Sequence, residues 1–82
     1  MKYFKKIVGK DLELIRIEDE IDKNEFYGTI IVAHDNQIKF ETQCDIYDYD
    51  IDNKCEEYGI KIEEIDKREF NILASKLRLL QD

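Results

Sequence analysis

The residues best spaced for chemistry are Asp48, Asp50 and Asp52, within the run DIYDYDIDNK at residues 45–54. Alternate acids open the calcium loop of an EF-hand. There, ligands fall at positions 1, 3 and 5, a glycine turns the chain at 6, and a bidentate glutamate closes at 12. Counted from Asp48, position 6 is Asn53 and position 12 is Gly59, which supplies no ligand. The residues after Gly59 alternate like a strand, where an EF-hand needs an exiting helix. Weak calcium binding is therefore only the third functional reading, and no residue is assigned to a metal.

Other chemistry has little material. His34 is the one histidine, and Cys44 and Cys55, eleven apart, form neither a CxxC pair nor a zinc-finger spacing. No apolar stretch approaches a signal segment or a bilayer span, the longest being 29–33. A cytoplasmic location is expected by default, with both thiols reduced and acting as small apolar residues. Ser75, the one serine, lies within a helical pattern, and VGK at 8–10 falls far short of a phosphate loop. A chain of 82 residues offers little room for a substrate pocket. Neither enzymatic activity nor a cofactor is expected.

Charge points elsewhere. The net charge is −7, yet residues 1–10 hold Lys2, Lys5, Lys6 and Lys10 and no acid. The remainder is strongly negative, a field that repels nucleic acid and anionic membrane and favours basic partners. Between Glu41 and Glu57 seven acids stand against Lys54 alone, with Tyr47, Tyr49 and Tyr58 in or beside the cluster. Tyrosine combines rigid contact area with a polar tip and is common at interface hot spots. Asp45, Tyr47, Asp48, Tyr49, Asp50, Asp52, Glu56 and Glu57 are thus the expected partner-binding residues.

The leading expectation is a non-enzymatic acidic module that binds a basic, nucleic-acid-binding protein and antagonises it. An anti-CRISPR or anti-restriction inhibitor, or a toxin immunity protein, would be of this kind. Thirteen isoleucines and ten lysines fit a low-GC bacterial or phage genome. The alternative is a small assembly subunit that oligomerises through a sheet edge. Direct nucleic-acid binding and membrane association are not expected.

These residues need elements to hold them, and the pattern predicts a single domain over 1–82 of α+β class. It should have a small antiparallel sheet of about four strands, with one C-terminal helix packed on one face. Asp66 caps that helix and Glu69 completes a capping box. Phe70, Leu73, Ala74, Leu77 and Leu80 form its apolar stripe, which Ile72 and Leu79 widen. Residues 26–34 and 37–46 read as a hairpin through Asp35-Asn36, with Ile38, Phe40, Thr42, Cys44 and Ile46 on one face. Residues 12–18 and 59–63 read as strands, and 2–8 as a strand or a helical turn. The apolar parity changes at Ile46-Tyr47 and between Leu14 and Ile15, which predicts a strand end or bulge at each place. Tyr47, Tyr49 and Ile51 would then cover the core while the aspartates face water.

Overall fold

The computed structural model describes residues 1–48, 51 and 59–81. It has five strands, β1 (Lys2–Val8), β2 (Asp11–Asp22), β3 (Glu25–His34), β4 (Gln37–Tyr47) and β5 (Ile60–Ile65), followed by helix α1 (Lys67–Leu79). All neighbours are antiparallel and the sheet order is β4-β3-β2-β1-β5. The α+β architecture is as the pattern predicts, with one strand more. That strand is β1, whose sequence also allowed a helical turn; it pairs with β2 on one side and β5 on the other.

Local chemistry sets the turns. Asp35 and Asn36 both take positive φ, 51° and 68°, as a two-residue hairpin loop requires. Gly9, at φ 59°, turns β1 into β2. Gly28 answers a different need: a Cβ there would lie 1.9 Å from the Arg16 carbonyl oxygen. β3 pairs Gly28 with Ile17 at the point where β2 bulges, between Ile17 and Asp19, and the backbones approach too closely for any side chain.

Both faces of the sheet are apolar. Leu14 and Ile15 are neighbours on the central strand, point to opposite faces, and are 0% and 1% exposed. On one face Tyr3, Leu14, Ile31, Ala33 and Ile65 pack against Phe70, Ala74 and Leu77 of α1. On the other, Phe4, Ile15, Ile17, Ile46 and Ile62 form a second cluster, which Ile51 joins after β4. The change of parity between Leu14 and Ile15 is therefore no slip. β1 and β2 keep one register from Lys2↔Ile17 to Val8↔Asp11, and the change marks a strand buried on both sides.

Two further expectations are corrected. The bulge in β4 lies near its start, where Val32 pairs with Phe40 and Ala33 with Ile38. The extra residue turns Ile38 toward the helix side, away from Cys44 and Ile46, which pack in the other cluster. From Phe40 to Tyr47 the register is unbroken, and the strand ends at Tyr47, as the parity there indicates. On α1, Ile72 and Leu79 do not widen the buried stripe; they are 55% and 85% exposed. The sheet is met by Phe70, Ala74 and Leu77, spaced four and three apart, and positions 72 and 79 fall on the far side of the helix.

The helix is fixed at both ends by side chains. The Asp66 carboxylate accepts from the Glu69 backbone N–H at 2.7 Å, and Ile65 and Phe70 share the buried cluster as a hydrophobic staple. At the C-terminal end the Gln81 amide donates to the carbonyls of Leu77 (2.7 Å) and Asn36 (3.0 Å) and accepts from the Ile38 N–H (2.9 Å). Gln81 so joins the last helical turn to the bulged start of β4, where the backbone is out of ladder register. None of the described helices is long and apolar enough to cross a membrane.

Leu77→Ala should cost about 2–5 kcal/mol, the usual range for a buried leucine, while Ile72→Ala should stay within about 0.5 kcal/mol. Urea denaturation of the two variants checks the packing, and equal midpoints would refute it. Gln81→Ala leaves three backbone groups without their partner and should cost about 1–3 kcal/mol. Hydrogen exchange should then quicken at Ile38 before it does in the central strands.

Candidate functional site: the acidic end of the sheet

One end of the sheet gathers acids from two separate runs. The β2–β3 hairpin supplies Glu18, Asp19, Glu20, Asp22 and Glu25, with Lys23 the one cation between them. β4 ends beside it, because Tyr27 pairs with Asp45 and Glu25 with Tyr47. The Asp48 N–H then donates to the Asn24 carbonyl at 2.9 Å, tying the end of β4 to the hairpin turn. In that turn the Asn24 N–H donates to Asp22 Oδ1 at 2.8 Å.

Of the expected partner-binding residues, Asp45, Tyr47 and Asp48 are brought to this end, all three exposed. Tyr49, Asp50, Asp52, Glu56 and Glu57 lie outside the described residues, as do Asn53 and Cys55, so that of the three calcium-candidate aspartates only Asp48 is described. Tyr47 does not cover the core. Ile46 is fully buried, so the residues on either side of it in an extended strand, Asp45 and Tyr47, point to the other face, where Tyr47 is 38% exposed. Ile51 does pack on a core cluster. The run EDEIDKNE at 18–25 is as acidic as the later one, and strand pairing sets Asp45, Tyr47 and Asp48 beside it.

One acid at this end has a structural task. Glu18, the extra residue at the β2 bulge, accepts from Arg16 Nε at 3.0 Å and Nη2 at 2.8 Å, and from the Thr29 hydroxyl at 3.0 Å. The Arg16 guanidinium lies 5.8 Å from the centre of the Phe70 ring. The acid thus ties the bulge to the base of the helix. By contrast, Asp19, Glu20, Asp22, Glu25, Asp45 and Asp48 form no ion pair among the described residues. Asp22 and Glu25 even stand directly opposite each other across the hairpin, an unfavourable pairing of like charges.

A cleft of about 310 Å³ opens at this end, on the face away from the helix. Its floor is apolar, made by Phe4, Ile17, Phe26 and Ile51, and its rim carries Glu18, Asp19, Glu20 and Asp48. Lys2 and Met1 close the remaining side. Such a cleft suits a long cationic side chain, whose methylene stem covers the floor while its charge meets the rim. Among the described residues no three His, Cys, Asp or Glu side chains converge as a metal site. Elsewhere His34, at the end of β3, is exposed and its Nδ1 lies 2.5 Å from Asp11 Oδ1. Cys44 is half-buried beside the second cluster.

The acids around the helix are paired. Lys5 Nζ lies 3.2 Å from Glu69 and 3.6 Å from Glu63. The hydrogen bond to Glu69 holds the Lys5 pKa above the ordinary lysine value, the charges of both acids add to it, and burial opposes them. A pKa raised by folding stabilises the protein fully below the unfolded lysine value, near ~10.4, and the effect is lost as pH rises through the folded value. The stability difference between the parent and Glu69→Gln should therefore be constant around neutral pH and shrink in the alkaline range. Urea midpoints at a series of alkaline pH values check this; a difference that grows there contradicts the assignment. No family model, curated protein or solved structure matches the chain.

Proposed function

We propose that this protein is a non-enzymatic binding module whose acidic end docks a basic, nucleic-acid-binding protein and blocks its nucleic-acid site. The cleft supports this reading best: a floor of Phe4, Ile17, Phe26 and Ile51 under a rim of Asp19, Glu20 and Asp48, which form no ion pair among the described residues. Unpaired carboxylates around an apolar floor offer a basic partner what a phosphate backbone and its bases offer, negative charge beside a flat apolar contact. Carboxylates spread along one end also speed encounter with a positive surface, at a rate that falls with salt. Asp48 belongs to this cleft, Asp45 and Tyr47 offer contact at the same end on the opposite face of the sheet, and Tyr49, Asp50, Asp52, Glu56 and Glu57 extend the contact in the proposal. An inhibitor of a nuclease, of the anti-CRISPR or anti-restriction kind, or a toxin immunity protein would act in this way.

A second reading, assembly through a sheet edge, draws on β4. This edge strand has an exposed stretch from Lys39 to Gln43, and Phe40 is 52% exposed. The bulge near Lys39 and the charges of Lys39 and Glu41 oppose it, since both features blunt edge pairing.

Affinity capture from the native host decides between them, with the parent and with an Asp19→Asn/Glu20→Gln/Asp48→Asn variant as baits. A basic nucleic-acid-binding protein should be retained at about 0.05 M salt and released by about 0.5 M. The variant should retain at least tenfold less, and the parent should inhibit nucleic-acid binding by the captured protein. Retention indifferent to salt and to the three substitutions would remove the acidic end from the contact. A concentration-dependent dimer in sedimentation, abolished by Phe40→Lys, would favour the sheet edge instead.

A further inference from the structure

The outer face of α1 is the opposite of the acidic end in charge. Ile72, Ser75, Lys76 and Leu79 line one exposed concavity. Their spacing, i, i+3, i+4 and i+7, is that of the four residues that receive a single side chain from a facing helix in a coiled coil. Arg68 and Asn71, with Ile72 and Ser75, repeat the spacing one turn earlier and line the same groove. Ser75 is small, so it leaves a notch between Ile72 and Leu79, which stand two turns apart, roughly 10 Å along the axis. The face thus holds two consecutive sockets with large apolar side chains at their corners.

The charge around these sockets has one sign. Lys67, Arg68 and Lys76 are all exposed, and among the described residues none of them forms an ion pair. This happens in a chain with 20 acids and 13 lysines and arginines, where acids outnumber the available cations. The acid of this helix, Glu69, is turned inward to Lys5. Arg78 alone of the later cations is engaged, by Glu41 at 2.9 Å.

We propose that this face docks an acidic amphipathic helix from a partner protein. Apolar residues of that helix fill the two sockets, and its flanking carboxylates pair with Lys67, Arg68 and Lys76. The surface is separate from the acidic end, so the inference does not depend on the function proposed for that end. A second copy of this chain fits poorly, because its own α1 would bring cations against cations. An anionic bilayer meets a body of net charge −7, and a nucleic acid leaves Ile72 and Leu79 against phosphate.

The test uses the whole protein and a labelled synthetic helix of three heptads, with leucine at a and d and glutamate at e and g. The glutamates keep this probe from pairing with itself. Fluorescence anisotropy should show saturable binding, with amide shifts confined to α1 in NMR spectra. Ile72→Ser/Leu79→Ser should weaken binding at least tenfold with an unchanged melting temperature, because both side chains are exposed. A probe with lysine at e and g should bind at least tenfold more weakly. The proposal fails if the acidic probe does not bind, if the double variant binds it equally, or if the lysine probe matches it. It also fails if a DNA duplex or phosphatidylserine vesicles bind this face more tightly, or if the protein self-associates through α1.

Discussion

The rest of the structure depends on two adjacent residues, Leu14 and Ile15. They lie on the central strand, face opposite ways, and are both buried. A sheet with one wet face needs a single cover; this one needs two. The helix supplies the first, resting Phe70, Ala74 and Leu77 on the Leu14 side. The second cluster, around Ile15, draws on Phe4, Ile46, Ile62 and Ile51. For a chain this small, apolar surface on both sides of one sheet is a way to bury enough without a second layer of helices. It also places polar function at the ends and edges of the sheet and on the outside of the helix.

Electrostatics follows from that arrangement. Four acids are matched: Glu18 with Arg16, Glu69 and Glu63 with Lys5, Glu41 with Arg78. The acids at the tip of the β2–β3 hairpin and the end of β4 form no ion pair among the described residues. Lys67, Arg68 and Lys76 of α1 likewise form no ion pair among the described residues and lie on another surface. The net charge of −7 hides this division. The two sets lie on different surfaces, which therefore carry opposite charge.

Much of this was legible in the residues. Asp66 and Glu69 marked the start of the helix, and Asp35-Asn36 marked the hairpin turn, because caps and turns are settled by neighbours in sequence. The alternation of residues 37–46 gave the strand but not its bulge, since one extra residue at Lys39 shows only when a partner strand is laid beside it. The same limit explains Leu14 and Ile15. A parity change within one strand looks like a slip until the burial of both faces is known. Hydrophobicity alone places Ile72 and Leu79 in the core, though their angular position on the helix sets them outside. At the acidic end, calcium-like spacing singles out the later run, while no spacing marks the hairpin acids. Their proximity is a property of strand pairing, which no single run encodes. The clustering of Asp45, Tyr47 and Asp48 with them is a finding of the fold.

The bond network of Gln81 has a consequence for how the chain is made. Strands β1–β4 are built from consecutive hairpins, whose contacts are local and form early. Their cover on the Leu14 side arrives only with residues 67–79, and the latch that holds it to the β3–β4 turn is Gln81, joined to Asn36 across 45 residues of sequence. During synthesis the four-stranded meander therefore leaves the ribosome with an apolar face bare, and its closure waits on the final turn of helix. In that interval the β4 edge and the uncovered face are both open to other nascent chains.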